Sequence, residues 1–153
     1  MRELKVVGVR VELPNNQPIV LLQEVDGDRF LPIWIGAVEA TAIAYQQQGV
    51  VPARPLTHDL MRDILTSLDA ELEAVEIIDI QDSVYYAELV FTGGKRVSAR
   101  PSDAIALALR MGAPVRCSDQ IMEETGITMS EDSDDEVEKF REFLDNVTPE
   151  DFA

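Results

Sequence analysis

The sequence predicts an α+β domain built from a duplicated three-strand-plus-helix unit, with helices packed against a mainly antiparallel mixed sheet. The first observation is the turn pattern. Apolar segments with period-two alternation are joined by short turns such as Asp26–Asp28 and Thr92–Gly94, and strands joined in this way are antiparallel neighbours. The second observation is a repeat. Each half of the chain places three such strands before an alanine-rich helix, with Glu39–Ala44 in the first half and Asp103–Ala108 in the second.

Alternation, turn residues and helix-ending residues predict where each element lies. The strands are expected at residues 7–13, 19–25, 29–35, 72–80, 84–91, 95–99 and 114–117. The helices are expected at residues 37–48, from 57 onwards, at 101–111 and, as a single turn, at 118–124. Gly49 and Gly112 are predicted to end the first and third helices, because glycine readily adopts the left-handed conformation that follows a helix.

The second helix has an amphipathic pattern. Thr57 is predicted to be its N-cap, since a threonine hydroxyl can accept a hydrogen bond from the first turn of a helix. The buried side of this helix is expected to consist of Leu60, Met61, Ile64, Leu65 and Leu68.

The negative charge is concentrated at the end of the chain. The formal net charge is -16, and residues 119–153 hold 13 acidic and 2 basic side chains. Residues 1–125 are predicted to form one domain, and residues 126–153 an acidic linker followed by a short amphipathic tail helix. In that tail, a capping box at Ser133–Glu136 precedes apolar residues at helical spacing. The tail is expected to dock on its own body or on a protein partner, or to form only a weakly populated helix.

The composition excludes several classes of protein. No apolar run approaches the roughly 18 residues that a membrane helix requires, and the first residues show no signal-peptide pattern. The single cysteine, Cys117, excludes an internal disulfide and a multi-cysteine zinc site within one chain, and it is expected to be a small buried apolar residue. We therefore expect a cytoplasmic protein without a membrane partner. Because basic runs are absent, any contact with nucleic acid must be local, metal-bridged or weak.

Three stretches carry a resemblance to a known family. They are residues 31–36 with Glu39–Ala40, residues 54–60 and residues 99–108. In their order and spacing these stretches resemble the bifunctional nuclease domain, also called the domain of unknown function 151 family, over residues 3–120. The resemblance implies a compact α/β domain that forms homo-oligomers and an activity on DNA and RNA. It implies no set of catalytic residues, so the candidates below come from chemistry.

Four residues near predicted helix starts could carry catalysis or bind a metal. His58 is the single histidine and a candidate general base, and Asp59 and Asp103 are further catalytic candidates. Glu39 and Asp103 are the candidate ligands of Mg²⁺ or Mn²⁺, since hard divalent cations prefer oxygen ligands. The structural alternative for His58 is a hydrogen bond that caps its helix. For the carboxylates, it is a favourable interaction with the helix dipole.

Three further residues are candidate contacts to a substrate phosphate: Arg54, Arg100 and Ser102. A guanidinium group can bind phosphate with two parallel hydrogen bonds. The alternative for Arg100 is an ion pair with Asp103 that clamps a helix to a strand. Trp34 is expected either to pack in the core or at an interface, or to stack on a base.

These candidates lead to three functional hypotheses. The leading one is a metal-dependent nuclease that hydrolyses phosphodiester bonds in single-stranded RNA or DNA. The alternative is a non-catalytic, oligomeric binding or regulatory domain, which the net charge of -16 and the missing basic groove favour. In the third, the acidic tail inhibits the body by mimicking the charge of nucleic acid. The catalytic hypothesis requires its acidic groups and His58 to share one pocket.

Overall fold

A computed structural model of the chain describes residues 1–12 and 16–128. Its strands are β1 (Arg2–Glu12), β2 (Gln17–Glu24), β3 (Arg29–Trp34), β4 (Leu72–Gln81), β5 (Val84–Phe91), β6 (Arg96–Ala99), β7 (Val115–Cys117) and β8 (Ile127–Thr128). Its helices are α1 (Ala37–Gln47), α2 (Thr57–Ser67), α3 (Pro101–Met111) and α4 (Asp119–Thr125). The predicted tail helix lies outside the described residues. No helix within the described ranges has the length and apolar character needed to cross a bilayer.

The eight strands of the described residues form one mixed sheet, which confirms the predicted α+β class. The strand order is β6-β5-β4-β7-β1-β2-β3-β8. Two antiparallel three-strand meanders, β1-β2-β3 and β4-β5-β6, therefore lie on either side of β7 in reversed order. Strand β7 runs parallel to β4 and antiparallel to β1. The two meanders correspond to the two repeated units that the sequence predicted.

Helices α1 and α3 occupy equivalent places in the two units and pack on each other. Helix α1 also contacts β1 and β2, whereas α3 contacts β4 and β5. Both helices are followed by a left-handed glycine, Gly49 with φ 70° and Gly112 with φ 66°, as predicted. The alanines of α3 are buried, and their short side chains allow the helix to lie close to its neighbours.

The core lies between the sheet and these helices. Its fully buried side chains include Leu22, Leu31 and Ile33 from the first unit and Ile77 from the second, together with Leu107 of α3. Each buried large apolar side chain contributes roughly 1.5–3 kcal/mol to the free energy of unfolding. Because both units supply side chains to this core, each unit stabilises the other. The two units therefore cannot be separate domains.

Helix α2 differs from its prediction in two ways. Thr57 is the first helical residue rather than the N-cap, which is Leu56, and Asp59 Oδ2 accepts a hydrogen bond from Leu56 N at 3.1 Å. The helix packs on α3, and its buried residues are polar, namely His58 and Asp59. Met61 and Leu65 are only half-buried, and the other three predicted core residues are exposed: Leu60, Ile64 and Leu68. The helical period was correct, but the buried side is rotated because Asp59 and His58 bind groups on α3.

Both ends of the domain extend the sheet beyond the predicted strands. Strand β1 begins at Arg2, because Arg2–Leu4 pairs with all three residues of β7. At the other end, Ile127–Thr128 pairs with the start of β3, within the segment that the sequence assigned to an acidic linker. Two residues are too short a segment to show a strand period, so this edge strand could not be predicted.

Candidate functional site

The starts of α1, α2 and α3 meet, and each contributes charged or polar side chains. Glu39 lies in the first turn of α1 and His58 in the first turn of α2. Arg100 is the N-cap residue of α3, and Asp103 lies in its first turn. Pro101 at the first helical position favours this start, because its ring presets φ and it has no N–H that needs an acceptor.

His58 and Asp103 form a hydrogen-bonded pair. His58 Nε2 lies 2.9 Å from Asp103 Oδ1. Because an ionised carboxylate only accepts hydrogen bonds, Nε2 is the donor, and in the neutral imidazole Nδ1 then carries the lone pair. Nδ1 makes no hydrogen bond within the described residues and is not sealed from solvent. This arrangement orients the imidazole and leaves Nδ1 able to accept a proton.

Arg100 joins this pair to Glu39. Its Nε donates to Asp103 Oδ2 at 3.0 Å, and its Nη2 contacts both Asp103 Oδ2 and Glu39 Oε1. The hydrogen bonds to Glu39 and then to Asp103 raise the pKa of Arg100 above its already high usual value. The side chain of Arg100 is 53% exposed, that of Asp103 30% and that of His58 8%. These residues, called here the four-residue cluster, therefore open to solvent through Arg100 and Asp103.

Asp59 lies outside this cluster. Its Oδ1 accepts a hydrogen bond from Arg110 Nε at 2.7 Å, and both side chains are buried. Burial raises the pKa of Asp59, but the hydrogen bonds from Arg110 and Leu56 N outweigh this effect and hold the pKa below its usual range. Arg110 Nη2 also donates to Ala42 O at 2.9 Å, so this ion pair ties α2 and α3 to α1.

The three predicted phosphate contacts have different surroundings. Arg54 is exposed and forms no ion pair within the described residues. Arg100 belongs to the four-residue cluster. Ser102 is 5% exposed and lines a small cavity beside that cluster, together with Trp34 and Arg100.

Two further residues from the sequence analysis are buried. Trp34 is 7% exposed, so it packs within the domain and offers no surface on which a base could stack. Cys117 is fully buried, and burial raises the pKa of its thiol to about 11. At neutral pH this thiol is therefore protonated, which fits a packing residue rather than a nucleophile.

The cluster in this arrangement does not fit a divalent cation. Glu39 and Asp103 contact the same Arg100 nitrogen, so their oxygens lie within about 6 Å, roughly two hydrogen-bond lengths. That spacing would allow a shared metal, but the positively charged guanidinium group already lies between the carboxylates. Within residues 1–12 and 16–128, no group of three or more His, Cys, Asp or Glu side chains has a geometry that could hold a metal ion.

The fold and the cluster define a class of protein: a duplicated α+β domain with a solvent-reachable His–Asp–Arg–Glu cluster at its helix starts. Residues 20–130 of the chain match the bifunctional nuclease domain. The match covers more than half of the chain, so the chain belongs to the bifunctional nuclease domain family.

Two mycobacterial proteins match the chain over nearly their whole length, and a plant protein matches it over part of its length. The chain is 52% identical over 161 residues to the uncharacterized protein Rv1829 of Mycobacterium tuberculosis (strain ATCC 25618 / H37Rv), covering 99% of this chain and 98% of the relative. It has the same identity and coverage with the uncharacterized protein MT1877 of M. tuberculosis (strain CDC 1551 / Oshkosh). It is 29% identical over 113 residues to bifunctional nuclease 2 of Arabidopsis thaliana, covering 68% of this chain and 34% of that protein.

Sequence reasoning missed two features of this region. Arg110 was not singled out, although an arginine in the last turn of an otherwise apolar helix could have indicated a buried ion pair. The cavity that Trp34 shares with the start of α3 was also not predicted, because nothing in the sequence shows that both lie at its wall.

Proposed function

We propose that this domain cleaves phosphodiester bonds in single-stranded nucleic acid, with His58 as general base. The observation that carries the proposal is the 2.9 Å pair between His58 and Asp103, beside an arginine that is half exposed. Membership of the bifunctional nuclease domain family supports the same reaction class.

Each residue of the cluster has a role in this proposal. Asp103 holds the His58 ring in one tautomer and stabilises the imidazolium that forms when Nδ1 takes a proton. That proton comes from an attacking water molecule, whose oxygen lone pair forms the new bond to phosphorus. The bond to the leaving strand breaks, and the departing oxygen keeps the electron pair and takes up a proton from solvent. Arg100 binds a phosphate oxygen through its outward-facing donors, and Glu39 positions Arg100 from the other side. Arg54 is a second, more distant phosphate contact.

Asp59 has a positioning role in this proposal. It lies next to His58 in the chain and is fixed by Arg110, so it sets the orientation of the first turn of α2. The proposal does not route a step through a metal ion. The predicted dependence on Mg²⁺ or Mn²⁺ stays a prediction, and cleavage that requires either ion would mean that Arg100 moves away from the two carboxylates.

The experiment is a cleavage assay on labelled single-stranded RNA and DNA, with Mn²⁺ and with chelator. The His58→Ala and Asp103→Asn proteins are expected to lose at least about 100-fold in rate, as removal of a general base and its partner typically does. Glu88→Gln is the matched control, because Glu88 is a comparably exposed carboxylate that pairs with Arg96 on the sheet. Cleavage at the wild-type rate in both cluster variants would indicate a contaminating nuclease and refute the assignment.

A second candidate function is a non-catalytic, self-associating binding domain. The observation that favours it is a row of exposed apolar side chains along one side of α2: Leu56, Leu60, Ile64 and Leu68. They recur at every fourth residue, the spacing of a ridge that packs against another helix. This candidate predicts that the wild-type protein cleaves neither substrate under any metal condition.

A further inference from the structure

A small cavity lies between β3 and the start of α3, beside the four-residue cluster. It has a volume of about 10 Å³ and is lined by Ile33, Trp34, Tyr85, Arg100, Pro101 and Ser102. That space holds one oxygen-sized atom. The cavity is not fully enclosed, so a larger group outside it can insert one atom.

The walls of this cavity carry hydrogen-bond donors that lack acceptors. Trp34 is 93% buried, and its Nε1–H, which can only donate, has no partner within the described residues. Such an orphaned buried donor is destabilising unless a bound atom accepts its hydrogen bond. The hydroxyl of Ser102 likewise makes no hydrogen bond among the described residues.

The start of α3 adds backbone donors and a positive potential. Its N-cap residue is Arg100, and no side chain in the described part of the chain caps the helix. The N–H groups of Ser102 and Asp103 therefore have no intrahelical acceptor. Arg100 uses Nε and Nη2 on Asp103 and Glu39, and its Nη1 makes no hydrogen bond or ion pair within the described residues.

We propose that this cavity is a phosphate subsite, in which Trp34 Nε1 and Ser102 Oγ bind one phosphate oxygen while Arg100 Nη1 binds another. An anionic oxygen suits the cavity better than a water molecule, because its lining includes the donor side chains of Trp34 and Ser102 and the positively charged guanidinium group of Arg100. The carboxylates of Glu39 and Asp103 oppose the anion. However, both are already paired with Arg100, and that pairing reduces their repulsion.

This inference rests on the proposed function for the identity of the ligand, a phosphate group of nucleic acid. It adds a specific anchor: Arg100 lines the cavity and is hydrogen-bonded to Asp103, the partner of His58, so a phosphate held by Trp34 and Ser102 is positioned relative to the base. Two sources share this chemistry, a terminal phosphate and a phosphodiester within the strand.

The test uses the single tryptophan of the chain as a reporter. One indole N–H resonance is expected in a proton–nitrogen correlation spectrum of the full-length protein, and it belongs to Trp34. We would titrate inorganic phosphate, a nucleoside 5′-monophosphate and an oligodeoxynucleotide without terminal phosphates, with sodium chloride as the ionic-strength control. A saturable downfield shift is expected with phosphate. The monophosphate and the oligonucleotide then show whether terminal or bridging phosphates bind.

Ser102→Ala is expected to weaken phosphate binding about tenfold, the loss of one hydrogen bond to a charged group. Ser98→Ala is the matched control, because Ser98 is exposed on β6 and outside the cavity. An indole resonance that responds only as it does to chloride, or an equal affinity in the Ser102→Ala protein, would overturn the subsite and leave water as the occupant.

The readout does not depend on turnover, so its failure is distinguishable from failure of the proposed function. If the indole resonance is silent while cleavage is still lost in His58→Ala, the subsite is wrong and the base assignment stands. If phosphate binds as expected but the wild type cleaves nothing, the subsite stands in a non-catalytic domain.

Discussion

Neighbouring residues in the first turn of α2 have different roles because they meet different partners. His58 contacts a carboxylate that is 30% exposed, whereas Asp59 contacts Arg110, whose side chain is 3% exposed. The first pair reaches solvent through Asp103, as the proposed general base requires. The second is an internal ion pair that holds three helices together, so it is structural even though it lies beside the candidate site.

Removing the charge of Asp59 is expected to destabilise the domain strongly near neutral pH. Asp59→Asn leaves Arg110 buried and unpaired, which typically costs about 3–5 kcal/mol in the free energy of unfolding. Urea unfolding monitored by circular dichroism measures this loss. Asp63→Asn is the control, because its exposed carboxylate pairs with Arg62 on the surface and should change stability by less than about 1 kcal/mol.

The destabilisation caused by Asp59→Asn is also expected to depend on pH. The pKa of Asp59 is lower in the folded protein than its unfolded value of about 3.9, so the stabilisation is present above that value and is lost as pH falls through the folded pKa. The stability difference between wild type and Asp59→Asn should therefore be largest above about pH 5 and shrink as the pH falls below about 4. A difference that does not change across this range would contradict the linkage.

At the scale of elements, the sequence predicted the strands of both meanders and the ends of α1 and α3. Those features depend on local signals, namely alternation in β5 and left-handed glycines at Gly49 and Gly112. The side of α2 that is buried could not be predicted, because it depends on contacts with Arg110 and Asp103 that are distant in sequence. The hydrophobic period alone predicted that Leu60 and Ile64 are buried. In the structure they are exposed, because His58 and Asp59 face α3 instead.

The apolar row on α2 is expected to mediate self-association. A charge placed in its centre by Ile64→Glu should prevent burial of the row against a second copy, since a buried unpaired charge is costly. Sedimentation velocity should show an oligomer for the wild type and a monomer for this variant. Val97→Glu is the control, because Val97 is 50% exposed on β6 and Ile64 is 48% exposed. A wild type that sediments as a monomer at high concentration would refute this role.

At the scale of the whole molecule, charge constrains any contact with nucleic acid. The net charge is -16, and the cluster supplies a single half-exposed arginine, so binding must depend on a few local contacts. The sequence correctly placed Glu39, His58 and Asp103 at three helix starts. It could not show that these starts meet, because their convergence depends on the packing of α1 and α2 on α3.

Removal of residues 129–153 tests the hypothesis that the acidic tail competes with nucleic acid. This deletion keeps β8 and removes about half of the net negative charge. Affinity for single-stranded nucleic acid, measured by fluorescence anisotropy, should rise at low salt and converge with that of the full chain at high salt. Equal affinities at all salt concentrations would show that the tail has no such role.

A double-mutant cycle in the cleavage assay tests most directly whether His58 and Asp103 act as one unit. The rates of the wild type, His58→Ala, Asp103→Asn and the double variant would be compared on the same labelled strand. When two residues contribute to the same catalytic step, removing either one already removes their shared contribution to the rate. The double variant should therefore be no slower than His58→Ala alone. Losses that multiply, or single variants that cleave at the wild-type rate, would contradict a catalytic pair at the helix starts.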